Sequence, residues 1–187
     1  EAVKKARAIL ATLPKNKPAQ RIVIDDLLVG PDPKSALPEI NRALADEPQS
    51  LELHVLKLRL LSQTNEMAAV GDQLRTMVEG FPDNQEVRAT LISWYINQKD
   101  YDGAEAYLRQ LAGDDTAATD GHIAVVQLLQ TARSTDAAIT ELERLIAANE
   151  GNPNADIYGA MRASLRFAAG EREAGGVSAL MPAFGRR

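Results

Sequence analysis

Two histidines, His54 and His122, carry the most versatile chemistry in this 187-residue chain, since an imidazole can ligate a metal or shuttle a proton. Their positions differ by 68, whereas metal-binding histidines on one helix pair at i, i+3 or i+4. Each is therefore read as a packing or polar residue. The stretch GDDTAATDGH brings together Asp114, Asp115 and Asp120, but it lacks the alternating acids, placed glycine and terminal Glu of a calcium loop. It reads as a loop with helix caps. No cysteine is present, so thiolate chemistry, disulfides and Cys-based zinc sites are excluded. There is no G-x-S-x-G elbow, and GEREAGG near residue 170 has neither a preceding strand nor a following Lys-Ser/Thr to cradle phosphate. No enzyme, metal or cofactor is expected in this segment. Trp94, the single tryptophan, is open to two readings, an interface anchor or a packing residue between adjacent first helices, and the second is preferred.

The elements that position these residues follow from composition and period. Apolar residues make up 45% of the chain and aromatics only 4%, with alanine abundant, which suits closely packed helices better than a sandwich of strands. Net charge is −5 with both signs interspersed, so no basic surface invites a phosphate backbone or anionic lipid. No nucleic acid is expected as a partner. No apolar run approaches the length of a membrane-spanning helix, so no direct membrane insertion is expected in this segment. The chain opens at Glu1 rather than Met, which leaves room for an upstream signal or anchor; cytoplasmic and periplasmic locations both stay open.

Prolines mark the period. Pro14, Pro48 and Pro82 recur at intervals of 34, each just after an apolar helical pattern. Stepping by the same interval gives Ala2, Ala36, Val70, Ala104 and Ala138. Four residues on come Ala6, Ile40, Leu74, Leu108 and Leu142, and three further Ile9, Ala43, Met77, Leu111 and Leu145. This is one helical stripe repeated five times. A second stripe runs through Val23 and Leu27, Leu91 and Tyr95, Val125 and Leu129, so each unit holds two helices. Turn-forming residues separate them at 29–33, 63–66, 98–102 and 132–136. Asp83, Asn65, Asp100 and Ser134 are expected as N-caps, Ser35 as the cap of a helix with Pro38 in its first turn, and Gly30, Gly80, Gly113 and Gly151 as left-handed C-terminal residues.

With PDN before a helix, then Leu91, Tyr95, the run KDYDGA containing Tyr101 and Ala104, and Leu108, residues 85–118 resemble a tetratricopeptide repeat. The resemblance extends from residue 1 to about 181. It divides the chain into the second helix of a truncated repeat at 1–16, repeats at 17–50, 51–84, 85–118 and 119–152, and a degenerate capping pair with a tail at 153–187, including Ala174 and ALMPAFGRR. It implies an all-α fold, a right-handed superhelical array of antiparallel helix pairs. Ile24, Leu58, Ile92 and Val126 stand where the family keeps a small residue, which predicts wider helix spacing there. Lys57 and Arg88 depart from apolar and aromatic family positions, and each can bury its stem while its charge reaches water.

In the family the first helices line a concave binding surface. The matching positions here include Arg21, Asp25, Glu52, Arg59, Gln63, Ser93, Asn97, Gln127 and Gln130. Amides among them can both donate to and accept from the backbone of an extended peptide, and Arg21 and Arg59 can orient a carboxylate. The family's chaperone-adaptor branch grips a C-terminal carboxylate with Lys and Asn, but Val55 with Arg59, Thr90 and Asp120 stand at the matching sites, so that grip is absent. The resemblance implies a non-catalytic scaffold for a protein or peptide partner. A structural spacer or self-assembly module, with a homo-oligomer left open, is the alternative, while a helical-repeat RNA binder lacks its basic groove.

Overall fold

The computed structural model describes residues 1–170; the expectations for Ala174 and for ALMPAFGRR lie outside the described residues. Ten α-helices follow one another among them: α1 (Ala2–Thr12), α2 (Lys17–Val29), α3 (Leu37–Asp46), α4 (Leu51–Gln63), α5 (Met67–Gly80), α6 (Gln85–Asn97), α7 (Tyr101–Ala112), α8 (Thr119–Ala132), α9 (Thr135–Ala148) and α10 (Asn154–Ala168), with a 3-10 turn at Pro33–Ala36 leading into α3. No strand occurs among the described residues, whose fold is all-α. The period survives in the elements. The starts of α2, α4, α6 and α8 keep the interval of 34, and so do those of α5, α7 and α9, with the 3-10 turn one interval before α5. Helix α10 starts one residue late, at the slipped register after Pro153.

Repeated local chemistry fixes these boundaries. Asn16, Ser50 and Asn84, again at intervals of 34, accept from the amides of Ala19 (3.0 Å), Leu53 (3.5 Å) and Val87 (3.0 Å) and so open α2, α4 and α6. The expected cap Asp83 is thus displaced by its neighbour Asn84. At the next interval stands Ala118, and α8 has no side-chain cap. Between paired helices, the amides of Glu66, Asp100 and Ser134 each bond the carbonyl five residues back, on Leu61, Tyr95 and Leu129. In the first two of these turns a left-handed residue stands just past the helix, Asn65 (φ 59°) and Lys99 (φ 58°). Asn65 therefore ends α4 rather than capping α5, whereas Asp100 and Ser134 cap α7 and α9 as expected.

The glycine and serine expectations divide. Gly113 (φ 69°) and Gly151 (φ 78°) are left-handed. Gly30 is extended instead, because Pro31 follows it and disfavours the helical region, and Gly80 is the last residue of α5. Pro38 lies in the first turn of α3, where a missing amide donor costs little. Ser35 does not cap α3; its hydroxyl donates to the Asp32 carbonyl within the 3-10 turn.

Contacts group the described residues into two units, up to residue 94 and from residue 95 on, with the division inside α6. In the first unit α1 to α5 pack successively, and Ile24, Ala36, Ile40, Ala43, Leu53 and Leu60 form a core. Ala6, Ala19 and Val23 join α1 to α2. In the second unit α7 to α10 pack successively, and Leu108, Val125, Ala138, Leu142, Leu145 and Tyr158 are buried there. Each buried Leu or Ile contributes about 1.5–3 kcal/mol. Positions 6, 40, 74, 108 and 142 of the stripe are all buried, as are 36, 70, 104 and 138. Ile9, Leu111 and Ala2 are exposed, contrary to the stripe. Leu111 gives way to Ala112, which meets α8: a Cβ on Gly121 would stand 2.6 Å from the Ala112 Cα.

Candidate functional site

The nine surface candidates fall on the first helix of each pair: Arg21 and Asp25 on α2, Glu52, Arg59 and Gln63 on α4, Ser93 and Asn97 on α6, Gln127 and Gln130 on α8. All but the half-buried Arg21 are exposed. Asp25, Arg59, Ser93 and Gln127 recur at the same turn of successive first helices, one repeat interval apart.

Within the first unit the two arginines differ. Arg21 Nε donates to both carboxylate oxygens of Asp25 (3.0 and 3.1 Å), and its Nη1 donates to Glu52 Oε1 (2.5 Å). These bonds tie α2 to α4, so Arg21 is engaged by the protein's own carboxylates rather than free to orient a ligand's. Arg59 makes no ion pair or side-chain hydrogen bond among the described residues and sits one turn after the exposed Val55. It is able to form a charge-assisted bond with a partner. The side-chain amides of Gln63, Asn97, Gln127 and Gln130 are likewise without partners among the described residues.

The histidines take a structural part that their spacing hinted at. In the buried ring of His54, Nε2–H donates to the Pro48 carbonyl (2.9 Å) and Nδ1 accepts from the Gln73 amide (2.8 Å), with Phe81 edge-on. His122 Nε2–H likewise donates to the Asp115 carbonyl at 3.2 Å. Gln20, at the same repeat position, donates its amide to the Pro14 carbonyl at 3.0 Å. Three units therefore use a side-chain N–H early in the first helix to satisfy a carbonyl of the preceding turn. The series Gln20, His54, His122, set by the repeat interval, was the signal available in the sequence.

A network of buried and half-buried charges stands in the second unit. Glu141 on α9, 7% exposed, accepts from Arg109 Nη1 and Nη2 on α7 (3.0 and 3.1 Å) and from Arg144 Nη2 (2.7 Å). Arg109 Nε also holds Glu105, and Arg133 reaches Asp102. Burial alone would raise the Glu141 pKa, but the hydrogen bonds and charges of Arg144 and Arg109 outweigh it and hold the group at about 2. Sequence reasoning missed this cluster because Arg109 and Glu141 lie on different helices, far apart in the chain.

Trp94 is a packing residue, but on the second helix of the preceding pair: its ring covers Gly71, where a Cβ would come within 2.5 Å, and lies 5.8 Å from the Arg75 guanidinium carbon. No cluster of three or more metal-ligating side chains occurs among the described residues, and no helix there is long and apolar enough to cross a membrane. No family model matches the chain, and no curated protein matches it.

Proposed function

We propose that the chain is a tetratricopeptide-like right-handed array whose first helices present a non-catalytic surface to a peptide or protein partner. The observation that carries this reading is the coincidence of a 34-residue helix period with amides and a guanidinium on the first helices that have no partner among the described residues. Such a surface offers donors and acceptors in a repeating row, as an extended peptide backbone requires. Arg59, Asn97 and Gln127 are its main contacts. Each lost backbone contact costs about 0.5–1.5 kcal/mol, so replacing all three by Ala should weaken partner binding by about one to three orders of magnitude. Affinity capture from the source cells with wild type and triple variant checks this, with circular dichroism to show retained helix. Equal recovery of the same partners by both would rule the face out.

A self-assembly module is the second reading, favoured by apolar side chains on the outermost described helices. Leu13 just after α1 is 59% exposed and Phe167 on α10 is 78% exposed. Isolated residues of this kind are ordinary on a monomer, so the peptide-binding reading stands first. Concentration-dependent light scattering separates the two.

A further inference from the structure

The second unit contains a cleft of about 270 Å³ lined by Arg109, Gly113, Asp114, Thr116, His122 and Arg144. His122 is only 4% exposed, and its Nε2–H is committed to the Asp115 carbonyl, so Nδ1 is the ring's acceptor whenever it carries no proton. That nitrogen has no hydrogen-bond partner among the described residues. Two repeats earlier the same atom is satisfied, because Gln73 donates its amide N–H to His54 Nδ1. The residue matching Gln73 at twice the repeat interval is Glu141, an ionised carboxylate with no proton to give, and it is held instead by Arg109 and Arg144. The acceptor is thus left without its internal donor beside a cleft whose other walls supply donors: Arg144 Nη1 makes no hydrogen bond among the described residues.

We propose that this cleft binds a carboxamide, whose N–H occupies the place of the Gln73 amide on His122 Nδ1 and whose carbonyl accepts from the arginines. A neutral ligand suits the site. Arg109 and Arg144 are already balanced by Glu105 and Glu141, and the exposed Asp114 on the rim disfavours a further anion. The volume is just below that of ordinary small-molecule pockets, about 300–1,000 Å³, which fits one amide-bearing side chain or a molecule of that size. An amide can come from a Gln or Asn side chain of a partner or from free glutamine, and both present the same group.

The test is an NMR titration of the whole chain above neutral pH, following the His122 ring nitrogens as propionamide is added, with propionate as the acid isostere. Propionamide should shift the His122 Nδ1 resonance saturably and leave His54 unchanged, while propionate should not. His122→Gln retains a donor for the turn carbonyl, as Gln20 shows in its own unit, but removes the ring Nδ1; followed by the backbone amide signals of Gly113, Asp114 and Thr116, it should weaken propionamide binding about ten-fold, the loss of one good hydrogen bond. Glu141→Gln restores the internal amide and should shut the site in a chain whose second unit remains folded. Free glutamine and a short peptide carrying one Gln distinguish the two sources: tighter binding of the peptide assigns the amide to a partner's side chain, and tighter binding of glutamine to a free metabolite. No shift at His122 with propionamide, or an equal shift with propionate, overturns the proposal.

Discussion

Glu141 shows how one residue can carry a stability signature that its sequence neighbours do not reveal. Its folded-state pKa is held near 2, below the usual 4.5, so it stabilises the fold fully above the unfolded value and progressively loses that contribution as pH falls from about 5 to about 2. The arginines that hold it are partly exposed, and solvent screening reduces the benefit to about 1–2 kcal/mol. Wild type should therefore exceed Glu141→Gln by that amount in urea unfolding at pH 7, with the gap closing toward pH 2. A gap independent of pH would mean the carboxylate's charge is not what matters. The histidines behave in the opposite way at this scale: one nitrogen of each is spent on a turn carbonyl, His54 places the other on Gln73, and His122 leaves its other without a hydrogen-bond partner among the described residues.

At the scale of the element, several helix starts rest on a side chain placed one residue before the helix. Asn84 Oδ1 accepts from the Val87 amide, while Asp83, which has the better capping-box spacing in the sequence, makes no such bond among the described residues. Asn84→Ala should cost about 1 kcal/mol and Asp83→Ala close to nothing, read as shifts in the urea midpoint at constant slope. Reversed sizes would move the start of α6 by one residue. The confusion between the two has a physical source, since both Asp and Asn accept from amides and only the backbone angle at the turn decides which of them faces the helix. The same holds for Asn65, whose type suits a cap or a left-handed stop equally well; the bond from Glu66 N–H to the Leu61 carbonyl selects the stop.

For the whole molecule, the governing quantity is how closely successive helices approach. Ala104 is fully buried and has room only for a methyl group. Ala104→Leu should overpack the second unit and lower stability by about 1–3 kcal/mol, measured by thermal or urea unfolding. An unchanged midpoint would show that α7 can shift to make room. The neighbouring close approach, Gly121 on α8 against Ala112 on α7, sits where a glycine is otherwise unfavourable in a helix, so proximity of backbones outweighs propensity there.

The sequence by itself determined the all-α class, the 34-residue period and the starts of paired helices, because helix periodicity and turn chemistry are local and recur at every repeat. It also determined the buried series Ala6, Ile40, Leu74, Leu108 and Leu142, since four-residue spacing places each in the same stripe. Tertiary structure alone decided that Ile9 and Leu111 face outward, that Arg21 is consumed by Glu52 while Arg59 is not, and that Glu141 turns to Arg109 and Arg144 and leaves His122 an open acceptor. Those outcomes depend on which side chains of different helices arrive within about 3 Å of one another, and a hydrogen bond or ion pair at that range is set by packing angles that no single helix encodes.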